Sequence, residues 1–183
     1  NRQGDIFFRT CDSLVRYDIR EEKFHVIGKY KAKTVISSNG DIWTGYDGMI
    51  CRYDEKGDSL LLYTEEDIPD ISSLLVSGNK IWVGTYEGLY VIEKGEKARC
   101  LVDGPEFYRL FESTSGEIWA GCRTGGLYRI MPDEKVVWYS DSNAEPYHIE
   151  SNQIRSFAED RFGNIWFGTF LGLHKYNPYT DKF

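Results

Sequence analysis

Short apolar runs of about five residues alternate with polar, glycine-containing turns along the whole chain, and no window carries an apolar i, i+3, i+4, i+7 stripe longer than about two turns. β-Branched and aromatic residues fill the apolar positions, so the pattern predicts an all-β protein of many short strands. Residues 71–102 show the unit. They read as strands at 71–76, 81–85, 89–93 and 98–102, the first pair joined by the turn Ser77-Gly78-Asn79. Asn39-Gly40 is a strong hairpin signal elsewhere in the chain, because both central residues of a type I′ turn need positive φ.

The pattern repeats. GDIFFRTCDSLVRYD at Gly4 aligns with GDIWTGYDGMICRYD at Gly40, GNKIWVGTYEGLYVIE at Gly78, GEIWAGCRTGGLYRI at Gly116 and GNIWFGTFLGLHKYN at Gly163. The anchor aromatics Phe7, Trp43, Trp82, Trp119 and Trp166 stand 36, 39, 37 and 47 residues apart, the last interval lengthened by an insertion at 140–151. In each second strand, as in Ile81-Trp82-Val83-Gly84-Thr85, the residues on both faces are apolar or small, so both faces must be covered. A glycine two residues after the tryptophan (Gly45, Gly84, Gly121, Gly168) weakens a strand unless the space is needed, and the expected occupant is a large aromatic of the adjoining sheet. Four-stranded antiparallel sheets repeating every roughly 40 residues are the requirement of a β-propeller.

The chain is therefore expected to be one propeller fragment of about four to five blades. The blades fall at about 1–28 (partial), 29–65, 66–103, 104–150 and 151–183 (partial), with about 18 strands in all. The first strand of the first blade and the fourth of the last are missing, as in a piece cut from a longer propeller, and open blade faces of that kind invite self-association.

Composition narrows the function classes. With 22 Lys and Arg against 29 Asp and Glu the net charge is −7, which argues against nucleic-acid contact by this segment. No apolar run approaches the roughly 20 residues of a membrane span, and the first ten residues lack a signal-peptide pattern.

NQIRSFAEDRFGNIWFGTFLGLHKYNPYTDKF, residues 152–183, resembles the two-component regulator propeller repeat almost throughout: a polar turn, Gly-Asn, Ile-Trp-hydrophobic-Gly-Thr, a Gly-containing loop, then Leu-His-Lys-Tyr and Asn-Pro. The copies at Gly40, Gly78 and Gly116 match well, whereas the first carries Phe7 for the tryptophan and Arg9 for the glycine. The resemblance implies the periplasmic sensor region of a hybrid two-component histidine kinase, built with further propeller blades and often responding to oligosaccharides. Kinase and phosphorelay parts would lie elsewhere in such a parent, because this segment has no phosphoacceptor His box, nucleotide-binding glycine cluster or receiver Asp pocket.

No catalytic residue, metal site or cofactor is expected. His25, His148 and His174 share no ligand spacing, and His174 falls at a third-strand position taken by Tyr90 and Cys51 in other copies, which gives it a structural role. Glu159-Asp160 lie in a turn that an Asp caps, and 64–70 read as a solvated acidic loop. Cys11, Cys51, Cys100 and Cys122 stand at different repeat phases, so buried free thiols are expected rather than a disulfide. Ligand candidates are residues in loops of constant phase whose identity varies: Tyr46, Tyr86, Arg123, Phe170, Tyr108 and Tyr147, the last in the insertion. Aromatic faces stack on sugar rings and charged groups fix hydroxyls or carboxylates, which suits an oligosaccharide. Such a surface suits a protein partner or a homodimer as well. A propeller lyase is the third reading.

Overall fold

The computed structural model describes residues 4–28, 34–38, 41–46, 48–54, 59–63, 68–93 and 96–183; the Asn39-Gly40 turn, Asp47 and 64–67 of the acidic stretch lie outside them. Among the described residues there are 18 strands and no helix, which is the all-β class expected. A three-stranded sheet of β1 (Ile6–Arg9), β2 (Leu14–Asp18) and β3 (Lys23–Gly28) comes first. Three four-stranded sheets follow: β4 (Thr34–Ser38), β5 (Asp41–Tyr46), β6 (Met49–Tyr53), β7 (Ser59–Tyr63); β8 (Ile71–Ser77), β9 (Lys80–Thr85), β10 (Gly88–Glu93), β11 (Arg99–Asp103); and β12 (Phe107–Glu112), β13 (Ile118–Cys122), β14 (Leu127–Ile130), β15 (Val136–Tyr139). The last sheet, β16 (Ile154–Glu159), β17 (Ile165–Thr169) and β18 (Gly172–Tyr176), again has three strands. Strand order follows chain order in every sheet, so each is an antiparallel meander with short hairpin links.

The turns between first and second strands share one design. Gly78, Gly116 and Gly163 have φ of 58°, 81° and 78°, which an L side chain adopts only with strain. In two of them the glycine N–H closes the turn, Gly116 onto the Ser113 carbonyl and Gly163 onto that of Asp160, both at 2.9 Å.

Asp160 then organises its turn from the inside. One carboxylate oxygen accepts the N–H groups of Phe162 (2.9 Å) and Asn164 (3.0 Å); the other accepts Asn164 Nδ2 (2.8 Å) and Trp166 Nε1 (2.9 Å). The indole and amide donors hold its pKa down at about 2, against an ordinary 3.8. A depressed carboxylate pKa stabilises the folded state above the unfolded value and loses that effect as pH falls. The stability difference between the wild type and Asp160→Asn is therefore expected to be full above roughly pH 4 and to close by roughly pH 2. Urea unfolding across that window measures it, and a pH-independent difference would refute it.

The chain divides into two compact units, residues 1–85 with 90–99, and residues 86–89 with 100–183. In the first unit one apolar cluster gathers Leu14, Ile42, Cys51 and Tyr53, and a second gathers Ile50, Ile68, Ile71, Leu74, Ile81, Val83 and Ile92. In the second unit Trp119, Leu127, Tyr139, Ile154, Ile165, Phe167 and Tyr176 fill the space between the β12–β15 and β16–β18 sheets, and Ile149 of the insertion plugs the same core. Polar links join those two sheets as well. Arg129 donates to Glu117 (2.6 Å), to Asp181 (3.0 Å) and to the Tyr176 hydroxyl, while Thr114 donates through N–H and hydroxyl to Glu159.

The packing corrects one expectation. At Gly121 and Gly168 no motif tryptophan fills the gap; Phe157 of the adjoining sheet reaches the one at Gly121, but Ile154 and the Ser156 hydroxyl come closer. A Cβ on Gly121 would lie 2.7 Å from Ile154 Cγ2, 2.8 Å from Ile154 Cβ and 3.3 Å from Phe157, and one on Gly168 would meet the Ser156 hydroxyl at 2.7 Å. The space serves the first strand, either of the next sheet or of the same one. Nor are the tryptophans equivalent: Trp82 and Trp119 are buried, whereas Phe7, Trp43 and Trp166 are only partly so. The four cysteines form no disulfide; Cys51 and Cys122 are buried as expected, but Cys11 and Cys100 are exposed. His174 stacks on Phe167, with ring centroids 5.3 Å apart.

Candidate functional site

The first strands of three sheets share an irregularity that periodicity alone does not predict. Pairing runs Ile71↔Thr85 then Ser73↔Gly84, Phe107↔Cys122 then Arg109↔Gly121, and Ile154↔Thr169 then Ser156↔Gly168. Ser72, Tyr108 and Arg155 are each the extra residue of a β-bulge, a device that takes a side chain out of the ladder and re-aims it. Ser72 turns its hydroxyl onto its own sheet, donating to the Gly84 carbonyl at 3.1 Å. Tyr108 and Arg155, both in the second unit, lie beside the loops of the candidate face.

Tyr108 is the centre of a charged cluster. Its side chain is 8% exposed, and its buried hydroxyl has no hydrogen-bond partner. The guanidinium carbons of Arg109 and Arg123 lie 4.8 and 5.8 Å from the centre of its ring, within cation–π range. Arg123 is fixed from below by Glu106 at 2.9 Å. Arg109 donates from Nε to the Arg155 carbonyl and from Nη1 to the Tyr108 carbonyl, both at 2.8 Å, so it ties the first strands of the two sheets together. Arg155 in turn donates to Gln153 Oε1 at 3.2 Å.

Gln153 opens into a groove of about 350 Å3 lined by Thr124, Asp141, Glu150, Asn152, Phe170 and Leu171, among others. Its walls are tied loops. Phe170 N–H donates to the Gln153 carbonyl (3.2 Å), Gly126 N–H to that of Asn152 (3.0 Å), and the Asn152 amide exchanges hydrogen bonds with Asp141 at 2.9 and 2.7 Å. Phe170 and Leu171, on the β17–β18 turn, are 68% and 66% exposed, so the groove offers an uncovered aromatic face beside amide and carboxylate groups. A second depression of about 450 Å3 lies against β15 and the insertion, with Trp138, Asn143, Glu145 and Tyr147 on its walls. There Trp138 is held by a hydrogen bond from Nε1 to the Gly125 carbonyl (2.8 Å), and the insertion is pinned by the Ser140 N–H to Tyr147 carbonyl and Ile149 N–H to Ser140 carbonyl bonds.

The six predicted ligand residues are thus placed unequally. Arg123, Tyr108 and Phe170 belong to one neighbourhood. Tyr147 lies in the second depression, and Tyr86, 47% exposed, is on the β9–β10 loop. Tyr46 ends β5 in the other unit and packs partly buried against the Leu14 cluster, donating to the Cys51 sulfur. Two expectations of loop exposure therefore fail: Tyr46 and Tyr108 are strand residues with packed rings. Sequence reasoning missed Arg109, Arg155 and Gln153. The signal for the two arginines lay in the first strand, where Ser72-Ser73, Tyr108-Arg109 and Arg155-Ser156 differ at two adjacent repeat phases, whereas Gln153 precedes its strand.

Among the described residues no three His, Cys, Asp or Glu side chains are grouped to hold a metal ion, and no helix is long and apolar enough to cross a membrane.

Comparison with known proteins follows the same lines. Residues 148–170 match the family model described as two component regulator propeller. Among solved structures, the extracellular domain of a protein assigned to a hybrid two-component system of B. thetaiotaomicron superposes with a TM-score of 0.76 at 23% identity, over 100% of this chain and 28% of that one. PorZ, a surface component of the type-IX secretion system of Porphyromonas gingivalis, gives 0.75 at 16% identity, over 94% and 30%. Virginiamycin B lyase of Staphylococcus aureus gives 0.71 at 15% identity, over 97% and 67%. At these identities the likeness shows a shared β-propeller fold, and the chain spans less than a third of the first two proteins. No curated protein sequence matches.

Proposed function

We propose that this chain, which carries a two-component regulator propeller repeat at residues 148–170, is a non-catalytic ligand-recognising segment of an extracytoplasmic sensor, with an oligosaccharide as its ligand. The observation that carries the reading is the groove at Phe170: an exposed aromatic face set among Asn152, Gln153, Asp141 and Glu150 on loops that are hydrogen-bonded in place. Sugar rings present an apolar face and a hydroxyl rim, and such a wall matches both. The superposition on an extracellular two-component domain supports the periplasmic setting, in which further blades of the parent would complete the propeller and phosphotransfer would belong to domains beyond it. Recognition without turnover is consistent with the roles of Asp141 and Asn152, which hold each other and so shape the wall.

Titration calorimetry of the intact protein with a broad oligosaccharide panel tests the reading. At least one binder is expected, with affinity reduced roughly 3- to 10-fold by Phe170→Ser through lost stacking. Silence across the panel, or hydrolysis or elimination of a panel member, counts against it. A second reading has its own support: Phe170, Leu171 and Leu173 expose apolar side chains together on the β17–β18 hairpin, as a protein-docking or sensor-dimerising surface would. A concentration-dependent dimer in light scattering, abolished by Leu173→Glu, favours that reading over the glycan one.

A further inference from the structure

We infer that Arg109 and Arg155, assisted by Arg123, form an anion-holding subsite at one end of the Phe170 groove, so that the saccharide it takes is acidic, with a carboxylate or sulfate group at that end. The inference rests on the oligosaccharide reading above and gives the ligand its charge and orientation.

The chain carries a net charge of −7, yet the guanidiniums of Arg109 and Arg123 gather on Tyr108, Arg155 adjoins them through its carbonyl, and Glu106 pairs with Arg123 alone. Three arginines elsewhere are neutralised, Arg16 by Asp5 and Asp18, Arg52 by Asp41 and Arg129 by Glu117 and Asp181, whereas Arg20 and Arg161 stand on exposed turns with no carboxylate partner among the described residues. Arg109 and Arg155 differ from the neutralised three. Their acceptors are the carbonyls of Arg155 and Tyr108 and the side-chain amide of Gln153, all neutral, and among the described residues neither has a carboxylate within ion-pair distance. Both are exposed, and each guanidinium has five N–H donors, most of them left over.

A purely structural role explains the Arg109 bridge between first strands but not the exposed charge beside it. The Arg155 fork sits on the bulge, out of the ladder, and is held in place by Gln153, which also lines the groove. Thr124, next to Arg123, lines it from the opposite loop. Planar forks of this kind grip carboxylates and sulfates through paired N–H bonds. The buried Tyr108 hydroxyl, without a partner, leaves the cluster one polar group short of satisfaction. Asp141 and Glu150 line the groove too and would repel an evenly charged polyanion. A ligand acidic at the arginine end and neutral beyond it fits both halves.

The test is calorimetry on the intact protein with matched pairs: a glucuronate-capped xylo-oligosaccharide and the uncapped form, a galacturonate trimer and its carboxyl-reduced form, a sulfated chondroitin tetrasaccharide and its desulfated form. At least one acidic member is expected to bind 10-fold or more tighter than its neutral partner, and to weaken as NaCl is raised from about 50 to about 500 mM. The uronate and sulfate arms distinguish the two sources of charge. Arg155→Gln should lower that affinity roughly 10- to 100-fold. Arg109→Lys, a second variant, keeps the charge but loses the fork and the Nε donor to the Arg155 carbonyl, and it is expected to lose affinity for the acidic partner while leaving that for the neutral partner unchanged. Equal binding of neutral and acidic partners, insensitive to salt and to Arg155→Gln, overturns the inference and leaves the glycan reading standing. Absence of binding by every neutral and acidic member overturns both.

Discussion

Trp119→Ala is expected to lower the free energy of unfolding by about 3–5 kcal/mol, whereas Trp166→Ala, at the same position of the next repeat, should cost about 1–3 kcal/mol. Trp119 has no exposed surface and packs against Tyr139 and Tyr176, with ring centroids 6.4 and 5.0 Å away, and against the Arg129 guanidinium at 5.6 Å. Removing it empties the middle of the cluster that holds the β12–β15 and β16–β18 sheets together. Trp166 is partly exposed, and its Nε1 bond to Asp160 is one of four that the carboxylate accepts. The Trp119 Nε1 is buried without a partner, so Trp119→Phe should recover much of the loss by removing an unsatisfied donor along with part of the ring. Urea unfolding followed by circular dichroism measures all three. Equal losses at 119 and 166 would mean that repeat phase, and not local packing, sets the contribution.

Gly126→Ala should cost about 2–5 kcal/mol, the combined effect of left-handed backbone and overpacking. Gly126 has φ of 88°, and a Cβ there would lie 2.3 Å from the Tyr139 carbonyl oxygen, a backbone atom of β15 that cannot swing away. Its N–H also donates to the Asn152 carbonyl, so a shift would propagate into the groove wall and weaken ligand binding as well as stability. Gly78→Ala is the control. Its φ is 58° but nothing lies within 4 Å of the added methyl, and a loss of about 1 kcal/mol is expected from backbone strain alone. Matching losses at the two sites would refute the steric account.

Much of the fold could be read along the chain because each repeat writes the same local chemistry. Strands at 81–85 and 89–93 were set by short β-branched and aromatic runs between turns, and the positive-φ turn at Gly78 by its Ser-Gly-Asn sequence. The site was less legible. Phe170 and Arg123 were singled out because they vary within loops of constant phase, and Tyr147 because it lies in an insertion. Arg109 and Arg155 were overlooked because a strand residue is assumed to point with the pleat, and a one-residue bulge breaks that assumption without any glycine to announce it.

Local order is what the sequence by itself determined: the repeat, its strands, the turn glycines, and the acidic chain with no metal or nucleic-acid motif. These depend on contacts between residues a few positions apart, which a linear pattern encodes. Only the tertiary structure decided which tryptophans are buried, that Ile154 rather than an indole occupies the gap at Gly121, and that Arg109 reaches the carbonyl of Arg155 to set an uncompensated charge beside the Phe170 groove. Each of these joins residues more than 30 positions apart or depends on a shift in register, and the distance between two such side chains is fixed by how sheets pack rather than by the spacing of letters.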